Sequence, residues 1–184
     1  DLDGDGDLDA LVANGDGANL VWINNGQGRF SDSGQRLGDF KTYAVALGDL
    51  DGDGDLDALV GNGVSFIEGP DYGGRYVGQD TVWINDGRGH FSSGQELEDS
   101  NSAVVVLGDV DNDGHLDAML AGGREGPNRV WLNDGQGLLS DSGQTLGNSE
   151  TDGLALGDLD GDGDLDAFSA NSEGDGGRGA APNR

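Results

Sequence analysis

The chain has 184 residues, 36 of them acidic and 9 basic, for a formal net charge of −27, and it contains no cysteine. The missing cysteines exclude a disulfide framework and thiolate metal chemistry, and the charge makes nucleic acid and anionic membranes poor partners. No stretch is long and apolar enough to insert in a membrane, and Leu, Ile, Val and Phe supply only 41 of the 184 residues, close to the level at which a highly charged chain stays unfolded unless its charge is neutralised.

The chain opens on Asp1 rather than Met and reads as a segment of something longer, with no signal peptide. It begins directly in a nine-residue loop in which Asp alternates with Gly or Leu, and the loop recurs from Asp49, Asp109 and Asp158, at spacings of 48, 60 and 49. The four loops hold 19 of the 36 acids. Like charges packed this densely repel one another unless a cation sits among them.

The second loop is the fullest example. Asp49, Asp51 and Asp53 can turn carboxylates inward, Gly54 permits a sharp bend, the backbone carbonyl of Asp55 can supply an oxygen, and Asp57 closes the site. Several oxygen donors on a flexible loop suit Ca2+, whereas softer metals prefer Cys or His. The start resembles an EF-hand, but the glutamate required at loop position twelve is replaced by Val12, Val60, Leu120 and Ser169. Each loop therefore runs straight into an apolar, strand-like segment.

After the first three loops comes a tryptophan block: Val21-Trp22-Ile23-Asn24-Asn25-Gly26, Val82-Trp83-Ile84-Asn85-Asp86-Gly87 and Val130-Trp131-Leu132-Asn133-Asp134-Gly135. The Asn-Gly and Asp-Gly steps predict tight hairpins. A third block ends in Ser-Gly-Gln at residues 33–35, 93–95 and 142–144, and a short apolar run such as Ala44-Val45-Ala46-Leu47 leads into the next loop. Every run is short and alternates with period two, so each reads as a strand.

A repeat of about 50 residues with four antiparallel strands predicts an all-β chain of β-propeller blades. The units fall at approximately 1–38 (partial), 39–98, 99–147 and 148–170 (partial), with a Gly-rich tail at 171–184. That makes a partial propeller of two complete blades and two incomplete ones, with neighbouring blades expected from the same longer chain. The recurrent Gly48, Gly108 and Gly157, and Ala10, Ala58, Ala118 and Ala167, suit crowded inner strands. Trp22, Trp83 and Trp131 are expected to pack between blades.

The strings Val45-Ala46-Leu47-Gly48-Asp49-Leu50-Asp51-Gly52-Asp53-Gly54-Asp55-Leu56-Asp57-Ala58-Leu59-Val60 and Val82-Trp83-Ile84-Asn85-Asp86-Gly87 resemble the FG-GAP/VCBS repeat, found in integrin α-subunit propellers and in many secreted bacterial proteins. The resemblance covers nearly the whole chain and is nearer the bacterial type. It implies about four Ca2+ sites in the hairpin loops between the first two strands of each blade. By motif match the ligands are Asp1, Asp3, Asp5 and Asp9; Asp49, Asp51, Asp53 and Asp57; Asp109, Asp111, Asp113 and Asp117; and Asp158, Asp160, Asp162 and Asp166. Asp7, Asp55, His115 and Asp164 would serve through backbone carbonyls.

The second unit carries about a dozen extra residues between its second and third strands, including Phe66, Glu68, Asp71, Tyr72, Arg75 and Tyr76. Loops of a meander alternate between its two ends, so this insertion lies opposite the aspartate loops. Its aromatic and charged residues suggest a ligand surface. The string at 174–179 matches a dinucleotide-binding fingerprint, but no strand–turn–helix surrounds it. Neither a nucleophile elbow nor a phosphate-binding loop is present.

The expectation is a non-enzymatic, calcium-binding propeller module that recognises a protein or glycan outside the cell or at its surface. The alternatives are a domain of a secreted polysaccharide-degrading enzyme and a purely structural repeat of a larger surface protein. An enzyme would need converging acid–base groups on the face opposite the aspartate loops. Only the insertion offers them.

Overall fold

A computed structural model describes residues 1–63, 65–67, 75–98, 100, 102–122, 126–147 and 150–172, and of residues 65–67 and 75–77 the backbone alone. The described residues contain strands and no helix. The first sheet is β1 (Ala10–Val12), β2 (Asn19–Asn24) and β3 (Phe30–Leu37). The second begins with β4 (Thr42–Gly48) and β5 (Asp57–Asn62). A small separate hairpin follows, β6 (Ser65–Ile67) and β7 (Arg75–Val77), before β8 (Thr81–Asn85) and β9 (Phe91–Glu96) complete the sheet in the order β4-β5-β8-β9. The third is β10 (Ser102–Gly108), β11 (Asp117–Gly122), β12 (Arg129–Asn133) and β13 (Leu139–Thr145), and the last is β14 (Thr151–Gly157) with β15 (Asp166–Asn171).

All neighbouring strands are antiparallel, and the register repeats from sheet to sheet. Ala10 faces Trp22, Ala58 faces Trp83 and Ala118 faces Trp131. The first strands β4, β10 and β14 lie beside one another. The arrangement is that of partial propeller blades, as the repeat predicts: two complete meanders, one sheet holding the last three strands of the pattern, and one holding the first two.

The core lies between sheets rather than inside one. Leu2, Val21, Leu37, Ala58, Val60 and Phe91 fill the space between the first and second sheets. Leu50, Leu59, Val82, Leu97, Val105, Ala118, Leu120, Trp131 and Leu139 fill the space between the second and third. Neighbours along β5 thus face different cores, Ala58 and Val60 one way and Leu59 the other, because successive side chains leave opposite faces of a strand. Hence every residue of β5 is buried. On β15, with no sheet beyond it among the described residues, Phe168 is exposed. Trp131 is buried in one core and Trp83 packs against the other.

Small residues sit where the neighbouring sheet comes closest. A Cβ on Gly48 would lie 2.6 Å from Leu116 Cδ1, and one on Gly108 would lie 2.8 Å from Leu156 Cδ1. Larger side chains there would hold the sheets apart.

The recurrent Ser-Gly-Gln blocks supply a clamp between sheets. Gln35 Oε1 accepts the Phe91 N–H at 2.8 Å, and its amide donates to the Gly89 carbonyl. Gln95 grips the third sheet in the same way, accepting from Leu139 N–H at 2.7 Å and donating to Leu139 O at 2.8 Å. Each glutamine thus ties an outermost strand to that of the following sheet.

At the end of the sheets opposite the aspartate loops, Asp80 is fully buried. Its Oδ1 accepts the N–H groups of Asn62 (2.8 Å) and Ser102 (3.0 Å), and its Oδ2 accepts the Ser102 hydroxyl at 2.6 Å. Burial nevertheless pushes its pKa above the usual carboxylate value, outweighing those bonds. The corresponding positions in the neighbouring units are Asn19 and Asn128. Between the ordinary value and the raised one, the native state binds more protons than the unfolded chain, so this group's contribution to stability falls as pH rises through that window. Asp80→Asn is expected to be at least as stable as the parent at pH 7, and its advantage should shrink on acidification. Thermal melts of both proteins at pH 5 and 7 check this. A loss above about 2 kcal/mol at pH 7 would mean that the hydrogen bonds to the ionised acid outweigh its desolvation.

Candidate metal centres

Each aspartate loop links the first two strands of a sheet or leads into the first strand described, and the same backbone bonds shape all four. The first aspartate caps the bend with both oxygens. Asp49 accepts Gly52 N–H at 2.8 Å and Gly54 N–H at 3.1 Å, and Asp1 and Asp158 hold the equivalent glycines. Positive φ at Gly4, Gly6, Gly52, Gly54, Gly161 and Gly163 lets the amides point inward. The third loop carries Asn112 at the first of these places, with φ 61°, and there the Asp113 N–H reaches Asp109 at 3.1 Å.

The third and fifth positions continue the pattern. Asp51 accepts from Asp53 N–H and Asp53 from Asp55 N–H, at 3.2 and 2.9 Å. Asp3, Asp5, Asp111, Asp113, Asp160 and Asp162 repeat these two bonds in their own loops. Side chains fixed in this way need little reordering to meet a cation.

The ninth aspartate has a double task. Asp57, fully buried, accepts Leu50 N–H at 2.9 Å on Oδ2 and Asn85 N–H at 2.9 Å on Oδ1. Asp9 and Asp117 make the same pair of bonds, to Leu2 and Asn24 and to Val110 and Asn133. Asp166 accepts from Leu159 N–H. This residue therefore pins its loop to the end of the tryptophan strand.

Three carboxylates per loop offer oxygens within 4.8 Å of one another: Asp1, Asp3 and Asp5; Asp49, Asp51 and Asp53; Asp109, Asp111 and Asp117; Asp158, Asp160 and Asp166. Oxygens on opposite sides of a calcium ion lie about 4.6–5.2 Å apart, so these groups fit such an ion. Asp7, Asp55 and His115 are not among them. They lie over the hairpin turns of their own sheets, where a Cβ on Gly26, Gly87 or Gly135 would come within 2.3, 2.1 or 2.4 Å of them. Asp164 accepts instead from Asn112 Nδ2 at 2.7 Å.

Among the described residues, no ion pair reaches these carboxylates. Arg36 and Arg129 pair with Asp32 and Asp141 on outer strands, away from the loops. Accordingly, burial raises the pKa of Asp51, with further upward push from the Asp53 and Asp49 charges. Loss of solvent also raises Asp111, joined by the charges of Asp113, Asp117 and Asp109. Burial raises Asp57, against the downward pull of the Asn85 and Leu50 N–H groups.

A model of the FG-GAP-like repeat matches residues 1–60 and 109–169, which contain all four loops. The chain belongs to the FG-GAP-like repeat family. No curated protein is similar enough to match it. This FG-GAP-like chain is thus a β-propeller-like repeat module, and its matched segments contain the aspartate loops and the strands on either side.

Of the insertion, Phe66, Arg75 and Tyr76 fall on the β6–β7 hairpin, where Phe66 faces Tyr76 and Ile67 faces Arg75 in register. Glu68, Asp71 and Tyr72 lie outside the described residues, as does the string at 174–179. Sequence reading missed three sets of residues at work here: the glutamine clamps, Asp80, and the asparagines Asn85 and Asn133. The glutamines and asparagines carried a signal, since each recurs at a fixed place in the repeat, whereas Asp80 stands where its neighbours have Asn19 and Asn128; only packing reveals what each touches.

Proposed function

We propose that the four aspartate loops bind calcium and that the module is a calcium-stabilised scaffold for recognising a protein or glycan outside the cell or at its surface. The observation that carries this reading is the fourfold recurrence of three pre-oriented carboxylates, with no ion pair to them among the described residues. Asp1, Asp3, Asp5 and Asp9 and their equivalents in the other loops would hold the ion, and its charge would offset the repulsion within each loop. Extracellular calcium modules bind with Kd of about 10⁻⁴–10⁻³ M, which suits shallow loops of this kind. The recognition surface is assigned to the end of the sheets opposite the loops, where the insertion leaves the second sheet.

Calorimetry is expected to give four calcium ions per chain, with magnesium much weaker because it requires strict octahedral geometry. Equal affinity for both ions would refute the ligand assignment. On glycan and protein arrays, removing residues 65–78 should abolish ligand capture and leave calcium binding intact. Gln79 is retained in that variant because its carbonyl accepts from Asn62 Nδ2 at 2.7 Å.

A further inference from the structure

The aspartate loops are joined in series by buried hydrogen bonds that cross from one sheet to the next. Asn85, at the end of β8, donates its backbone N–H to Asp57 in its own sheet. Its side-chain amide donates to Leu56 O at 3.2 Å and also to Leu2 O, in the loop of the preceding sheet, at 2.9 Å. Both side-chain partners are carbonyls, so the NH2 end of the amide must face them. Asn133 repeats the arrangement one sheet on. Its N–H meets Asp117, and its amide donates to Leu116 O at 3.0 Å and back to Leu50 O at 2.8 Å. Gly137 N–H also donates to Leu50 O, at 2.9 Å.

The loops close the series. Leu2 N–H donates to Asp9, and Leu50 N–H donates to Asp57. One path therefore runs from Asp9 through Leu2, Asn85, Asp57, Leu50 and Asn133 to Asp117. Leu2 and Leu50 are themselves buried in the two inter-sheet cores. The carbonyls gripped from the next sheet belong to the peptide units that carry the nitrogens of Asp3 and Asp51. Movement of either aspartate toward an ion must therefore be taken up by the neighbouring sheet. Buried donors and carbonyls paired in this way transmit such a shift because breaking the path leaves them unsatisfied. Asn133 Oδ1 also accepts Gly135 N–H at 3.1 Å, whereas Asn85 Oδ1 has no partner among the described residues.

We infer that the first three loops bind metal cooperatively, and that Asn85 and Asn133 are the positioning residues that couple each loop to the one before it. This rests on the reading of the loops as calcium sites. Asn24 provides an internal comparison. It makes the same bonds within its own sheet, to Asp9 and Leu8 O, but none to another loop among the described residues. Among the described residues, the hydrogen bond between the fourth loop and the third is the exposed Asn112–Asp164 one, so the fourth loop stands outside the buried series.

The test is a residue-resolved NMR titration of the whole chain with calcium chloride, in trimethylamine oxide to keep the metal-free protein folded. Gly6, Gly54, Gly114 and Gly163 donate to the first aspartate of their own loops, so each amide reports one loop. In the parent, Gly6, Gly54 and Gly114 should share one midpoint, and Gly163 should titrate separately. Asn133→Ala should split Gly114 from Gly6 and Gly54 by about fivefold or more, the low end of ordinary coupling between sites. Asn85→Ala should split Gly6 from the other two, which provides a second reading if the first variant folds poorly. Asn24→Ala should leave the shared midpoint in place. Midpoints that do not separate in either Asn85→Ala or Asn133→Ala would overturn the coupling while leaving the calcium reading standing. No calcium response at any of the four glycines would overturn the calcium reading itself.

Discussion

Stripped of metal, the protein is expected to melt about 10–20 °C below its temperature in millimolar calcium, and the pH dependence of its stability should change sign. The size follows from linkage. At ten times Kd, one site stabilises the fold by about 1.4 kcal/mol, and four sites contribute about 5–6 kcal/mol. An ordinary domain has about 5–15 kcal/mol in all, and each kcal/mol moves the melting temperature of a chain this size by about 2–4 °C. No disulfide compensates for the loss, since there is no cysteine.

The sign change follows from the loop carboxylates. Without an ion, Asp51, Asp57 and Asp111 have native pKa values raised above the ordinary 3.8. Between 3.8 and those raised values the native state holds more protons than the unfolded chain, so metal-free stability falls as pH rises through that window. Asp80 adds to the trend in the same direction. With calcium bound the carboxylates must be ionised, so stability is instead lost as pH falls. Thermal melts from pH 4.5 to 7.5 in metal-stripped buffer and in 5 mM calcium chloride, at matched ionic strength, provide the measurement. A calcium shift of one or two degrees, or parallel slopes in the two series, would show that the loops add little to a fold held by its strands.

Asp57→Ala should destabilise the calcium-loaded protein by about 3–5 kcal/mol more than Asp53→Ala, although each change removes one aspartate from the same loop. Both variants forfeit the metal contribution of the second loop. Only Asp57→Ala also strips the acceptor from the N–H groups of Leu50, Asp51 and Asn85, leaving donors in a buried site without partners. Asp53 is exposed, and among the described residues the backbone bond to its carboxylate is from the Asp55 N–H, two residues on. Urea denaturation in saturating calcium chloride would measure the difference, with calorimetry counting the ions retained. Equal losses would mean that the ninth aspartate acts through the metal alone. If the difference is large, this residue is as much a structural pin between loop and strand as a ligand.

The aspartate spacing, the tryptophan blocks and the hairpin turns were legible without coordinates because each depends on neighbours in sequence. Alternation of apolar residues marks a strand wherever it lies, and Asn-Gly or Asp-Gly marks a turn through the φ values those residues tolerate. A repeat multiplies such local signals, so the four-strand unit and its aspartate loop stood out clearly. Contacts between units are a different matter. Leu59 and Ala58 look alike as apolar neighbours, yet they face different inter-sheet cores. Gln95 looks like a surface residue of an edge strand until Leu139 is found on both ends of its amide. Asp80 is one more acid in a chain of 36, distinguished only by the removal of water around it. Asn85 and Asn133 reach carbonyls 83 positions away. The repeating strands and the carboxylates that could gather round a cation follow from local order along the chain, because those lie within one short segment. Which polar groups lose their solvent, and which loop each one then holds, is set by packing between sheets, because burial is a property of two sheets meeting.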